Sequence, residues 1–211
     1  MLRTVFLLAR PAYFYLVTPT SRLSVLSFLQ LATRDFPFSD FCALAMIFIG
    51  RITPQNVAIF KEVRLRALQD TPLAFGSTYA DELKLSHADW LNRATRWNGE
   101  RGIGFLAFDD SGTPCGIAGS FLVESDATQA KLISMWTAPT HRHRGIGRLL
   151  ADEVLNWARA REVRTLLLMV TSVNDSAIRF YERLGFARTG RSEPYPNDPS
   201  ITEYEMSRAI H

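Results

Sequence analysis

The chain is poor in cysteine, in histidine and in long apolar runs, and each shortage closes off a class of function. Cys42 and Cys115 are its only two cysteines. They fall in no metal-ligand spacing, and two alone make no framework, so neither a disulfide scaffold nor a thiolate metal centre is implied. The four histidines do not gather near them. His141 and His143 stand two apart in an arginine-rich turn, which suits a solvated loop or an anion contact better than a metal. No metal is expected. Uncharged runs in the first 45 residues reach about eleven residues, short of the roughly eighteen needed to cross a bilayer. Lysine and arginine exceed the acidic residues by 24 − 21 = +3, too mild an excess to mark a nucleic-acid binder. Repeats and low-complexity stretches are missing as well.

What is present fits one domain with an unusual leader. At 211 residues and 47% hydrophobic, the chain buries a substantial core without splitting in two. Residues 1–45 read differently from the rest: Arg3, Arg10, Arg22 and Arg34 lie among aromatic and aliphatic residues, and Pro11, Pro19 and Pro37 interrupt any long helix. Ala43-Leu44-Ala45 mimics a signal-peptidase site. Asp35, Pro37 and Asp40 nevertheless occupy the place of the apolar h-region, which argues against secretion. A transit-like or membrane-surface anchor is the alternative, with Leu23, Leu26 and Leu29 on one helical face. The reading adopted is that 1–45 is an N-terminal extension, a misplaced start or a loosely ordered segment, with translation beginning at Met46. The domain is then 46–211, in the cytoplasm and without stable membrane insertion.

From Met46 the pattern alternates. Residues 47–52 read as a strand, and Thr53-Pro54 pairs a capping residue with proline at the first helical position. Val57, Phe60, Arg64, Ala67 and Leu68 keep helical spacing until Pro72. A second helix is expected over 79–97. Strands over 103–108 and 115–123 join through Asp109-Asp110-Ser111-Gly112 as a hairpin. Residues 131–137 form the next strand. After Gly147 a helix carries Ile146, Leu149, Leu150, Val154, Leu155 and Ala158 on one stripe. The nearly all-apolar stretch 165–171 reads as a strand covered on both faces, so 131–171 makes a right-handed βαβ unit. A helix over 174–184 stops at Gly185. Residues 186–190 and 201–207 then pair around the proline-rich loop 194–199. The fold class expected is α+β in three layers, a mixed, mostly antiparallel central sheet with helices on both faces.

The stretch 137–147, Thr-Ala-Pro-Thr-His-Arg-His-Arg-Gly-Ile-Gly, brings a strand into a helix through two glycines among basic side chains. The first amides of the helix have no partner inside it, and with the helix dipole they favour an anion. Arg142, Arg144 and Arg148 add charge with guanidinium geometry suited to phosphate. A P-loop is excluded because Gly147 is followed by Arg148-Leu149 rather than Lys-Ser or Lys-Thr. A dinucleotide fingerprint is excluded because Leu150 stands in place of the third glycine, and Leu167-Leu168 in place of the acidic residue. Aromatic residues interleaved with the basic ones, which would favour single-stranded nucleic acid, are missing around the turn. The motif Arg-x-x-Gly-x-Gly over 142–147 resembles the acetyl-CoA-binding segment of the GNAT superfamily of N-acetyltransferases. A second block, Asn174-Asp175-Ser176-Ala177-Ile178-Arg179-Phe180-Tyr181-Glu182-Arg183-Leu184-Gly185-Phe186, resembles the same family's other signature. The resemblance covers about Met46 to the C-terminus.

The resemblance implies a GNAT-like acyl-CoA N-acyltransferase fold that transfers an acetyl group from acetyl-CoA to a primary amine of a small molecule or peptide, by direct attack in a ternary complex. The other reading is a non-catalytic acyl-CoA-binding module. The cofactor pyrophosphate would be held by Arg142, His143, Arg144, Gly145, Ile146, Gly147 and Arg148. The pantetheine arm would lie along Met135, Trp136 and Thr137, with Asn174, Ser176 and Tyr181 lining its path. Tyr181 would protonate the leaving thiolate. Relatives with a carboxylate base on the strand before the turn have no counterpart here, where Lys131 and Ser134 stand. Glu124 is the substitute candidate for the base. Neither Cys42 nor Cys115 falls where a covalent intermediate would form. Phe75, Tyr79, Glu82 and Tyr195 are the positions to examine for the acceptor, and a homodimer is one assembly compatible with this fold.

Overall fold

In the computed structural model the described residues are 46–211, so the readings made for 1–45 lie outside them. The elements run β1 (Phe48–Arg51), α1 (Val57–Asp70), α2 (Tyr79–Leu83), α3 (His87–Arg96), β2 (Gly102–Phe108), β3 (Pro114–Leu122), β4 (Gln129–Thr137), α4 (Ile146–Arg159), β5 (Thr165–Thr171), α5 (Asp175–Arg183), β6 (Ala187–Tyr195) and β7 (Asp198–Ala209). Seven strands form one sheet in the order β1-β2-β3-β4-β5-β7-β6. Only β4 and β5 are parallel, joined by α4 as expected of a βαβ crossover. The two faces are covered by different helices. Gly104 of β2 and Gly119 of β3 sit against the Trp97 ring at the end of α3, whereas Gly116 of β3 sits against Leu150 of α4. Ile52, Phe60, Leu68, Trp90, Leu106 and Ile117 fill one core, and Ile146, Leu150, Val154, Leu166 and Met206 are equally buried.

Two expectations are corrected. The helix expected over 79–97 is two helices. Ser86 restarts the chain with a capping box, its hydroxyl accepting from the Asp89 amide at 3.2 Å while the Asp89 carboxylate accepts from the Ser86 amide at 2.9 Å. The last hairpin is longer than expected, and only Pro196-Asn197 remain as its turn. Pro194 is tolerated inside β6 because β6 is the outer strand of the sheet, where a missing N–H breaks little.

Two irregularities shape the middle of the sheet. The register between β3 and β4 slips between Ile117 and Gly119, opposite a bulge at Ser134, which has a φ of 56° in the left-handed region. The parallel pairing of β4 with β5 covers only Gln129–Lys131 against Thr165–Leu167. Beyond it the two strands part. β5 keeps its antiparallel partner β7 all the way to Thr171, so the main chain of β4 from Leu132 to Thr137 faces a cleft rather than a strand.

Candidate functional site

The cleft opens into a cavity of about 960 Å³. Its walls are β4 from Lys131 to Thr137, the end of β5 from Leu168 to Thr171, and the start of the α5 helix. At its mouth stands the glycine turn, and its far side carries Phe75, Gly76, Ser77 and Glu203. Of the residues expected at the cofactor, Met135, Trp136, Thr137, Arg142, His143, Gly145, Ile146, Gly147, Arg148, Asn174, Ser176 and Tyr181 all line this space. Arg144 does not. It is exposed, outside the lining.

The turn is built from sequence upward. His143 (φ 63°) and Gly145 (φ 80°) both take left-handed backbone, which reverses the chain and points the first amides of α4 outward. A β-carbon on Gly147 would come within 3.1 Å of the Phe180 ring. This glycine therefore lets α5 approach the turn closely, in addition to baring the backbone. Arg142 is more committed than a free phosphate ligand. Its guanidinium donates to the Thr137 carbonyl at 3.1 Å and to the Asp70 carboxylate, and Asp70 also accepts from the Trp136 indole at 2.8 Å. Arg142 thus braces the turn against β4 and the end of α1, leaving His143, Arg148 and the amides facing outward.

On α5, Asn174 is an N-cap whose side-chain oxygen accepts from the Ala177 amide at 3.2 Å and the Ser176 hydroxyl at 3.0 Å. Capping and a place on the cavity wall coexist in this residue. Tyr181 is buried between Phe180 and Phe186, at ring distances of 5.3 and 5.9 Å. Burial pushes its hydroxyl well above the ordinary tyrosine range, so it holds its proton across neutral pH. It is a core aromatic and a wall residue at once.

The candidates for the base and acceptor fare differently. Glu124 is exposed in the bend after β3 and lies outside this cavity. The pairing of Leu122 with Ala130 and of Gly116 with Thr137 puts that bend at the end of the sheet away from the glycine turn. Being a strand-end charge turned to solvent, Glu124 is corrected as a base. Tyr79 lies outside this cavity too. Tyr195 is buried and bonds the Phe75 carbonyl at 2.7 Å and the Pro72 carbonyl at 3.0 Å, fixing the segment after α1 in place. Phe75 does face the cleft.

Glu82 is buried in a charged network that the sequence did not announce. Arg64 meets its carboxylate at 2.9 Å and Arg93 meets it at 3.0 Å. Arg64 also donates to the Ser77 hydroxyl at 2.8 Å and the Ser134 hydroxyl at 3.1 Å. Burial alone would raise the Glu82 carboxyl, but the bonds and charge of Arg64, the Ser77 hydroxyl and Arg93 hold it below the usual carboxylate range. It is ionised, paired and a weak base. The network lines a second cavity of about 230 Å³ with Phe60, Trp97 and Phe121, and it ties α1, α2 and α3 to the bulge of β4. Arg64 was visible as the one charge inside the apolar stripe 57–68. Glu203 had no such signal, since it stands in a polar stretch of the last strand. Cys115 is buried, which together with Asp109 pushes its thiol up to about 11 and leaves it inert as a nucleophile. No cluster of potential metal ligands exists among the described residues.

Comparison with known proteins supports what the geometry outlines. The chain is 34% identical over 105 residues to the N-alpha-acetyltransferase RimI of Mycobacterium tuberculosis, covering 49% of this chain and 65% of that one. It is 28% identical over 112 residues to N-acetyltransferase 8 of Rattus norvegicus, covering 52% of this chain and 50% of the relative. The chain thus spans between half and two thirds of the length of these curated relatives. Among solved structures, yncA of Salmonella typhimurium, determined with its cofactor acetyl-CoA, shares the fold at a TM-score of 0.65 and 17% identity, over 79% of this chain and 95% of that one. The acetyltransferase (GNAT) family matches residues 65–186, from within α1 to the threshold of β6. On that match, and on a seven-stranded sheet parted at β4 and β5 with the glycine turn at its opening, the chain belongs to the acetyltransferase (GNAT) family.

Proposed function

We propose that this protein transfers an acetyl group from acetyl-CoA to a primary amine by direct attack. The observation that carries the reading is the parted β4–β5 pair, with outward-facing amides at its mouth and Tyr181 in its wall. Pyrophosphate fits the N-terminus of α4, where unpaired amides and the dipole favour negative charge. His143 and Arg148 add charge there. The pantetheine arm has the dimensions of a peptide strand, and the free edge of β4 over Met135, Trp136 and Thr137 offers it main-chain partners. The same edge, next to the bulge at Ser134, is placed to donate to the thioester carbonyl as charge develops on its oxygen. Tyr181 keeps its proton at neutral pH and stands in the wall, where its hydroxyl is placed to bond the departing thiolate and to release the proton only as charge builds on the sulfur.

The test is direct. Calorimetry with coenzyme A should show binding, and a thiol-release assay with acetyl-CoA should respond to at least one amine from a broad panel. Binding without thiol release from any amine would favour a non-catalytic acyl-CoA module. No heat on folded protein would remove both readings.

A further inference from the structure

We propose that Glu203 receives the ammonium group of the acceptor and takes its proton, and that the acceptor is an aliphatic amine cationic at neutral pH. This rests on the acetyltransferase reading above and supplies the base which that reading lacks. Glu203 lies in β7, outside the residues matched by the family.

Four observations point to it. First, it is the only carboxylate among the residues lining the large cavity. Second, it is buried, at 9% exposure, yet it takes part in no side-chain hydrogen bond or ion pair among the described residues. Its oxygens are not among the enclosed polar atoms left without a partner, so they stay open to the cavity. Glu82 is met by two arginines, and Glu203 has none. Third, its direction is fixed by register. Glu203 stands opposite Thr171 on β5, so the two side chains share a face of the sheet. The Thr171 hydroxyl donates to the Leu73 carbonyl at 3.1 Å, which identifies that face as the one covered by the segment after α1. Phe75 and Ser77 of that segment and Thr171 itself line the same cavity. Fourth, Glu193 stands opposite Glu203 on β6. Burial first, and the Glu193 charge second, push the Glu203 carboxyl above the usual range and make it the stronger base of the two acids lining a cavity. Arg64, Lys131 and Arg183 are the cationic groups elsewhere on the cavity wall within its β4, α1 and α5 sides, and none of them bonds Glu203.

The proton balance closes. An ammonium gives one proton to Glu203, and the freed lone pair forms the C–N bond to the thioester carbonyl carbon. The C–S bond breaks, the thiolate takes a proton from Tyr181, and the second proton of the nitrogen, shed as the amide forms, restores Tyr181. Glu203 returns its proton to solvent, so the nitrogen loses two, the sulfur gains one and one is released.

The experiment compares wild type with Glu203→Gln. With acetyl-CoA and an amine panel including 1,4-diaminobutane, kcat/KM for the amine should fall by about 100-fold or more, as loss of a general base does. Acetyl-CoA affinity by calorimetry should be unchanged. The melting temperature at pH 7.5 should hold, because the carboxylate supports no bond of the fold. Titration with 1,4-diaminobutane reads the anchor without turnover, and Glu203→Gln should weaken it about tenfold, the loss of one charge-assisted bond. Unchanged kcat/KM, a lowered melting temperature, or equal or undetectable diamine binding by both proteins would overturn the proposal. Failure of wild type to bind acetyl-CoA would instead strike the acetyltransferase reading, with the diamine titration still deciding Glu203.

Discussion

Two single residues carry the most exposed parts of the reading. Gly147 stands where a side chain would meet both the Phe180 ring and the space before the α4 amides. Gly147→Asp adds volume and a like charge at that point, so coenzyme A affinity should drop below detection by calorimetry while far-ultraviolet circular dichroism stays native. Retained affinity would move the pyrophosphate elsewhere. Tyr181 offers a cleaner separation, since phenylalanine keeps its packing against Phe180 and Phe186 and removes only the hydroxyl. Tyr181→Phe should lower kcat by about 10- to 100-fold with cofactor affinity intact. Equal turnover would show that the thiolate leaves unaided. The dual nature of Asn174 and Tyr181 explains why neither was decidable alone from sequence. A capping asparagine and a buried tyrosine are common, and only the folded chain shows that the two share the wall of one cleft.

At the level of elements, the Arg64–Glu82–Arg93 network is the joint that holds α1, α2 and α3 against the bulge in β4. Arg64→Met takes one of two arginines from the buried Glu82 and leaves Arg93 and the Ser77 hydroxyl, so it should cost about 3 kcal/mol in denaturant unfolding, the low end for breaking a buried ion pair. The pH dependence has a definite sign. Glu82 titrates below its unfolded value, so its contribution is complete above an unfolded pKa of about 4.3 and is lost as pH falls through the lower folded value. Glu82→Gln should flatten that limb of the acid-unfolding curve, and an unaltered limb would show that the network contributes nothing. The elements themselves were largely legible, because short apolar runs bounded by turn residues mark β2, β3 and β5, and apolar spacing of about 3.6 residues marks α4 and the first helix. The break between α2 and α3 had a signal in Ser86-His87-Ala88-Asp89, outweighed by the helical spacing around it. The long β6–β7 hairpin was hidden because its prolines read as loop, and only its place at the edge of the sheet makes them tolerable. Base and acceptor residues were the least visible. Glu203 and Ser134 acquire meaning from register and from a bulge, which are properties of neighbouring strands rather than of their own segments.

At the scale of the whole molecule, a ligand that bridges β4, β5 and the glycine turn should bind only the folded chain. Coenzyme A at one hundred times its dissociation constant should then add about 2.7 kcal/mol and raise the melting temperature by about 5–10 °C. A thermal-shift titration checks this, and no shift with demonstrated binding would mean that the cleft forms only locally. The parting of β4 from β5 has one more consequence. An unpaired strand edge normally invites other polypeptides to dock and aggregate, but here the edge is recessed between two arms of the same sheet. A guest with an extended amide backbone could there take the place of the missing strand.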